Sequence, residues 1–426
     1  MLKEKRSTIL LIIVAALGYF VDIYDLILFN VIKKESLIGL GFTDPVEIKN
    51  TGIMLFNWQM AGMLVGGILW GVLGDKKGRL KVLFGSILMY SAANIVNAFV
   101  TDIPIYAAVR FIAGIGLAGE LGAGITLVAE VMSKETRGYG TMIIVTFGAL
   151  GAVLAALVGA KGDGIGYLIY QLTSIKLANW QVAYIIGGVL GLALLIMRFG
   201  TVESGMFQNM EHKNVSKGDF FALFTKKRIF INYVYCILIG LPIWFIVAVL
   251  IALAEDFAKP EVLGLGEPII NGSAVMFCYL GLSFGDLLSG IFSQVFRSRK
   301  KVVIFYLLLT IVLVFIYLFT TTNASASYFY FLCFCLGTAA GYWALFVTIA
   351  AEQFGTNIRA TVTTTVPNFV RGAVVPITGL FMFLDQHFGM IHSALIVGAT
   401  CIGLAIFATI KIKETFGKEL NYLEEM

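Results

Sequence analysis

Charge is scarce in this chain. Asp, Glu, Lys and Arg make up 13% of its 426 residues, about half the share usual in a soluble domain. Ala, Val, Ile, Leu, Met, Phe, Trp, Tyr and Cys together make up 59%, more apolar surface than a soluble fold can cover. An ordinary cytosolic enzyme is thereby excluded, as are a disordered chain and a collagen. Cysteine is sparse as well. Cys236, Cys278, Cys333, Cys335 and Cys401 all lie in apolar stretches of the second half. Their odd number, and the lack of any Cys/His cluster at zinc spacing, exclude a disulfide scaffold and a structural zinc site. They read as small apolar packing residues. The three histidines, His212, His387 and His392, are too scattered for a metal or catalytic constellation. The net charge of +5 is no nucleic-acid signal, because what matters in so apolar a chain is where the basic residues sit.

A membrane-spanning helix takes about 20 residues, so the chain is long enough for twelve. Apolar runs between polar breaks predict helices at 8–31, 51–74, 82–101, 104–132, 140–160, 181–200, 229–254, 271–295, 302–321, 327–353, 359–384 and 390–411. The first follows Lys3, Lys5 and Arg6, as the core of a signal peptide would. It runs past residue 28, contains Asp22 and Asp25, and meets no small-residue cleavage site, so it reads as an uncleaved span. The longest internal polar stretch, 201–228, predicts a linker between an N-terminal half (1–200) and a C-terminal half (229–411), followed by a tail (412–426). With both termini on one face, Lys and Arg divide 23 to 6 between that face and the other, and Arg110 and Arg371 fall inside spans. That bias puts the termini, the linker and the tail in the cytoplasm.

The halves repeat. Gly71 to Arg79, with Gly74, Asp75 and Gly78 between, follows helix 2. Gly290 to Arg299, with Gln294 in the place of Asp75, follows helix 8 at the matching place in the second half. Glu130 and Arg137 flank the helix 4–5 connection; Glu352 and Arg359 flank the helix 10–11 connection at nearly the same offset. Parallel six-helix repeats are a transporter plan with the substrate site between the halves.

The Gly71…Gly74-Asp75-Lys-Lys-Gly78-Arg79 stretch resembles the loop 2–3 signature of the major facilitator superfamily. Arg110-Phe-Ile-Ala-Gly114-Ile-Gly116-Leu-Ala-Gly119-Glu120 is similar to its helix 4 motif. The Glu130/Arg137 and Glu352/Arg359 pairs, with Glu203-Ser204 after helix 6, are similar to loop motifs of its sugar-porter, organic-ion and metabolite:proton symporter branches. Asp22-Ile-Tyr-Asp25 is similar to the paired aspartates of the aromatic acid:proton symporters. The resemblance covers the whole chain. It implies an all-α membrane protein, twelve helices in two pseudo-symmetric halves, a monomer in the lipid bilayer, driven by a proton gradient with no bound cofactor.

A charge in the bilayer core costs about 2.5–3.5 kcal/mol on insertion scales, so deep charges need a reason. Asp22 and Asp25 stand three apart on one helix. Two carboxylates so close repel when both are ionised, so one of them is a candidate proton carrier; pairing with a basic residue is the bland alternative. Arg371 lies mid-span in Pro367-Asn368-Phe-Val-Arg371, where a guanidinium grips a carboxylate bidentately; a permanent ion pair to Asp22, Asp25 or Asp286 is its alternative. Arg110 and Glu120, ten positions apart on one helix, lie roughly 15 Å apart. Arg110 is the resemblance's coupling arginine, and Glu120 a second candidate proton site. Asp286 is expected to pair with a loop basic residue or to serve function, with equal weight. Asp75, Arg79, Glu130, Arg137, Glu352 and Arg359 lie at cytoplasmic helix ends, where charge pairs bias one orientation of the halves. Tyr19 and Trp343 are candidate pocket aromatics, with Trp244 and Tyr342 behind them. Gly114-x-Gly116-x-x-Gly119 has the letters of a dinucleotide fingerprint but no preceding strand, so it reads as close helix packing.

The sequence thus predicts a secondary active transporter that moves a small organic anion with protons, in the cell membrane. Substrate contacts fall to Arg371, Tyr19, Asn368, Trp343 and Arg110. An amino-acid carrier or an exporter of a siderophore- or drug-like compound is the alternative within transport. A membrane enzyme would need a catalytic constellation that the sequence lacks, and a channel would not need gating pairs.

Overall fold

Backbone in lipid has no hydrogen-bond partner but itself, so long apolar runs fold as helices. A computed structural model describes residues 2–174, 176–197 and 220–424. Among them, span 1 is Leu2–Gly39, span 2 Pro45–Lys77 and span 3 Arg79–Asn97. Span 4 is Ile103–Leu117 followed by Glu120–Val131, span 5 Arg137–Thr173 and span 6 Asn179–Met197. Span 7 is Lys227–Phe245, continued by a π-turn at Ile246–Ile251. Span 8 is Asn271–Val295, span 9 Arg299–Phe319, and span 10 Ala326–Ala340 followed by Trp343–Gln353. Span 11 opens with Arg359–Gly372, and the helix Val374–Lys411 carries its remainder and span 12. Gly389, with φ 74°, divides that helix into two, a conformation that favours glycine. Most of the predicted linker, with Glu203, Ser204 and His212, lies outside the described residues.

The predicted spans 4, 10 and 11 are unbroken, but the structure interrupts each, at Ala118–Gly119, Gly341–Tyr342 and Ala373. The breaks in spans 4 and 10 fall at matching places in the two halves, so the repeat extends to the backbone. It extends to packing as well. A Cβ at Gly62 would fall on the Phe111 carbonyl, and one at Gly114 on that of Gln59, where spans 2 and 4 cross. In the second half, Gly281 meets the Phe334 carbonyl and Gly337 that of Cys278, where spans 8 and 10 cross. Lipid offers apolar side chains as good a home as protein does, so helices associate through such close contact. Gly116 and Gly119 press on span 3 and Trp70, so the fingerprint glycines serve packing. Phe305, Phe315, Phe319, Phe331 and Phe383 point outward and are exposed, as a lipid-facing surface requires.

Two faces result. One carries the start of span 1, the 2–3, 4–5, 8–9 and 10–11 connections and the tail 412–424; we name it the gate face. The far face carries the 1–2, 3–4, 5–6, 7–8, 9–10 and 11–12 connections.

Candidate functional site: a charged pocket between the halves and a closed gate

Between the halves lies a small pocket walled by the rings of Tyr19, Trp244, Tyr279 and Trp343. Aliphatic side chains of spans 1, 5, 7 and 8 fill the gaps, and Arg371 brings a charge into the wall. Arg371 sits in the last turn of Arg359–Gly372, just before the break in span 11. It is 1% exposed, and its contacts are loose. Nη1 donates to Asn368 Oδ1 at 3.3 Å and Nη2 to the Tyr19 hydroxyl at 3.4 Å. Nη2 stands 3.8 Å from Asp22 Oδ2, the guanidinium lies 5.6 Å from the Trp343 ring centre, and Nε has no acceptor. A well-made guanidinium–carboxylate pair closes to about 2.7–2.9 Å. Arg371 is therefore buried, charged and under-bonded. Trp343 Nε1, in the same wall, also lacks an acceptor.

Asp22 and Asp25 part company. Asp22 turns across the interface to Arg371, with no hydrogen bond on either oxygen. Asp25 turns into the N-terminal half, its Oδ1 beside Gly187 of span 6 with the Asn94 amide adjacent. Three residues turn a helix by about 300°, so the two share an edge of the helix rather than one direction. Glu120, at the start of the second piece of span 4, is buried and near enough to Asp22 for their charges to interact. Asp22, Glu120 and Arg371 thus form one neighbourhood from spans 1, 4 and 11.

Arg110 is not in the pocket wall. It lies inside the N-terminal half, bonded to Gln59 Oε1, donating to the Tyr184 hydroxyl at 3.4 Å, and 4.2 Å from the Phe29 ring centre. Asp25 is near enough for its charge to interact with that of Arg110. Asn368 does not face a ligand alone: its amide donates to the Ala118 carbonyl at 2.9 Å, at the break in span 4, while its oxygen holds Arg371. Asp286 pairs with no loop cation among the described residues. Its Oδ1 accepts the Ala344 N–H at 2.9 Å, because the break at Gly341–Tyr342 exposes a helix N-terminus whose amides need an acceptor.

On the gate face the charges form two matching clusters. Glu130 accepts from Arg79 of its own half at 2.9 Å and from Arg359 of the other at 3.1 Å. Glu352 accepts from Arg299 of its own half at 3.3 Å and from Arg137 of the other at 2.8 Å. Asp75 stands 3.5 Å from Arg79 and caps span 11 across the interface, accepting the N–H groups of Ala360 (3.1 Å) and Thr361 (2.8 Å). Thr141 and Thr348 also pair across the halves, at 2.8 Å, as do Thr126 and Thr363 at 2.5 Å. Each of these charged side chains is at most 5% exposed. The halves are closed on this face. The sequence repeat matches Arg299 to Arg79, but sequence reasoning gave Arg299 no part in the charge pairs.

A family model described as Major Facilitator Superfamily matches residues 15–377. The chain belongs to the major facilitator superfamily. That is a family of membrane transporters, not enzymes, and the chain is a multi-pass membrane protein. The fold matches the proton:xylose symporter XylE with a TM-score of 0.75 at 16% identity, over 98% of both chains. It matches the Escherichia coli fucose:proton symporter FucP at 0.71 and 13% identity, over 95% of this chain and 97% of the other. Among curated relatives, the chain is 32% identical over 173 residues to the niacin transporter NiaP of Acinetobacter baylyi, covering 36% of each. It is 29% identical over 155 residues to the 3-(3-hydroxy-phenyl)propionate transporter of Escherichia coli, covering 36% of this chain and 35% of that one. The chain spans between about a third and a half of the length of the curated relatives it matches.

Proposed function

We propose that the protein is a proton-coupled symporter that carries a small organic carboxylate across the cell membrane by alternating access. The observation that carries this reading is Arg371: a buried, under-bonded guanidinium in an aromatic pocket between the halves, facing a carboxylate that itself lacks hydrogen bonds. Protonating Asp22 removes the negative charge opposite Arg371. A substrate carboxylate then takes that place, and Trp343, Trp244 and Tyr279 flank its apolar body. Asp25, near Arg110, and Glu120 are the further carboxylates for proton exchange. The loaded pocket carries no extra charge, so the halves can turn. Opening inward requires the Glu130 and Glu352 clusters to part, with Asp75 releasing span 11. The proton gradient supplies the energy, with no cofactor. The Lys and Arg bias makes the gate face cytoplasmic. The names of the niacin and hydroxyphenylpropionate relatives, both organic acids, support the substrate class. A second reading is favoured by the bare oxygens of Asp22, which would accept the ammonium group of an amino acid whose carboxylate meets Arg371.

The test is uptake into vesicles carrying the purified protein, with an imposed pH gradient and a panel of aromatic and aliphatic carboxylates, amino acids and sugars. Carboxylate uptake should follow the gradient and vanish in Arg371→Ala. Asp22→Asn should keep substrate exchange but lose gradient-driven accumulation. Uptake of amino acids alone favours the second reading. Uptake of sugars alone, unchanged in Arg371→Ala, refutes both.

A further inference from the structure

The two arginines that cross between the halves, Arg137 and Arg359, do more than hold Glu352 and Glu130. Arg137 Nη2 also donates to the backbone carbonyl of Lys418. Arg359 Nη2 donates to the carbonyl of Leu420 at 2.6 Å. Both acceptors belong to the segment after span 12, which runs without helix across the closed gate. Its seat is on the C-terminal half. Glu414 accepts from the Ser298 hydroxyl and from the N–H groups of Arg299 (3.0 Å) and Lys300 (3.3 Å), at the start of span 9. Gln353 Nε2 donates to the Lys413 carbonyl at 2.7 Å, and the Thr356 N–H to the Tyr422 carbonyl at 2.9 Å. Asn357 pairs with both the N–H (2.9 Å) and the carbonyl (3.1 Å) of Glu424. Leu420 is 1% exposed. A Cβ at Gly355 would stand 2.5 Å from the Glu424 nitrogen, so the seat fits backbone against backbone.

Two polar contacts among the described residues carry this segment to the N-terminal half: the Arg137 bond to Lys418, and an ion pair of Lys134 with Glu419 at 2.6 Å. The ion pair is exposed and contributes little. The Arg137 bond is partly buried and charge-assisted, hence stronger. When the halves part on this face, the segment stays with the C-terminal half through its many bonds there, and Arg137 must release Lys418 as well as Glu352.

We infer that residues 412–424 form a strap that holds the gate closed, so that its undocking shifts the protein toward the conformer open on the gate face. A ligand or contact that separates two conformers shifts their populations by its differential binding alone. Here the strap binds the closed conformer at both halves and the open one at a single half.

The experiment compares hydrogen–deuterium exchange and substrate exchange of the full chain with two variants: one that ends after Lys413, and Gly355→Ala in the full chain, which crowds the seat without altering a gate side chain. The expected result is a rise of at least about fivefold in amide exchange at 356–364 and 137–142, the low end of usual coupling. Exchange should fall together with it at the far-face ends of spans 1 and 7, the reciprocal mark of a population shift. If the shortened chain does not fold, Gly355→Ala alone gives the answer. A rise confined to 353–357, with no change on the far face and an unaltered substrate-exchange rate, overturns the inference: the segment is then a packed end and nothing more.

Discussion

Consider Glu352→Gln. The Glu352 carboxylate, 0% exposed, neutralises two guanidinium groups at once, Arg137 at 2.8 Å and Arg299 at 3.3 Å. Glutamine keeps an acceptor at one position and puts an amide donor at the other, opposite Arg299 Nε, which now reaches Glu352 Oε2 at 3.4 Å. Two buried cations are left with no anion of their own. Removing one partner of a buried pair costs about 3–5 kcal/mol. The part of that cost that belongs to Arg137 falls on the closed conformer, because Arg137 is on the other half and leaves Glu352 once the halves part. A bias of about 3 kcal/mol changes the closed-to-open ratio by roughly a hundredfold. Spin labels on cysteines placed at Tyr139 and Val295, exposed positions on opposite halves near the gate face, report the separation by dipolar spectroscopy. Among the native cysteines only Cys335 is less than fully buried. The label distances should shift from a short to a long population in Glu352→Gln, and Glu130→Gln should do the same, since it holds the matching position. If Glu352→Gln lowers the thermal midpoint yet leaves the distances unchanged, the cluster is a folding element and the reasoning about gating is wrong.

Other consequences are as concrete. Arg371→Lys keeps the charge but loses the fork; at about 1.5–3 kcal/mol for a charged hydrogen bond, KM for the proposed carboxylate substrate should rise roughly 10- to 150-fold while the thermal midpoint stays put, as uptake kinetics and a melting scan would show. Asn368→Ala frees both the Ala118 carbonyl and Arg371, so it should lower stability and substrate affinity together; a fall in one alone speaks against its bridging role. Gly281→Ala, which sets a methyl on the Phe334 carbonyl, should cost about 1–3 kcal/mol, whereas Gly403→Ala, with nothing within 4 Å, should be silent in the same melting scan. Burial acts to raise the Glu414 pKa, but the Ser298 hydroxyl and the N–H groups of Arg299, Phe416 and Lys300 outweigh it and hold it below the ordinary value. The docked carboxylate therefore contributes stability above the free value of about 4.3, and that contribution is lost only as pH falls through its lower docked value. Protection of 412–424 in amide exchange should be flat from neutral pH down to about 5, after allowance for the intrinsic rate; loss of protection near pH 6 would contradict this.

Much of the plan was legible because charge is rare here. In a chain with so few ionisable residues, Glu130, Arg137, Glu352 and Arg359 stand out, and the offset they share with the loop glycines marks a duplicated unit before any contact is known. Span number and the facing of the loops follow from apolar length and from where Lys and Arg collect, both local properties. Arg371, inside an apolar run, announced itself for the same reason.

Which charge meets which is another matter. Asp22 and Asp25 look equivalent on paper, but the rotation of span 1 sends one to Arg371 and the other to Gly187 and Arg110. Asp286 found a broken helix rather than a loop cation, and the break itself, at Gly341–Tyr342, leaves no mark in hydropathy. The tail looked like a polar end, although its carbonyls take a donor from each crossing arginine. These pairings join residues far apart in the chain, or depend on backbone carbonyls that every residue has. Periodicity and composition determine which segments become helices; only the assembled bundle, by fixing the rotation of each helix and the approach of the halves, decides which buried group each charge meets.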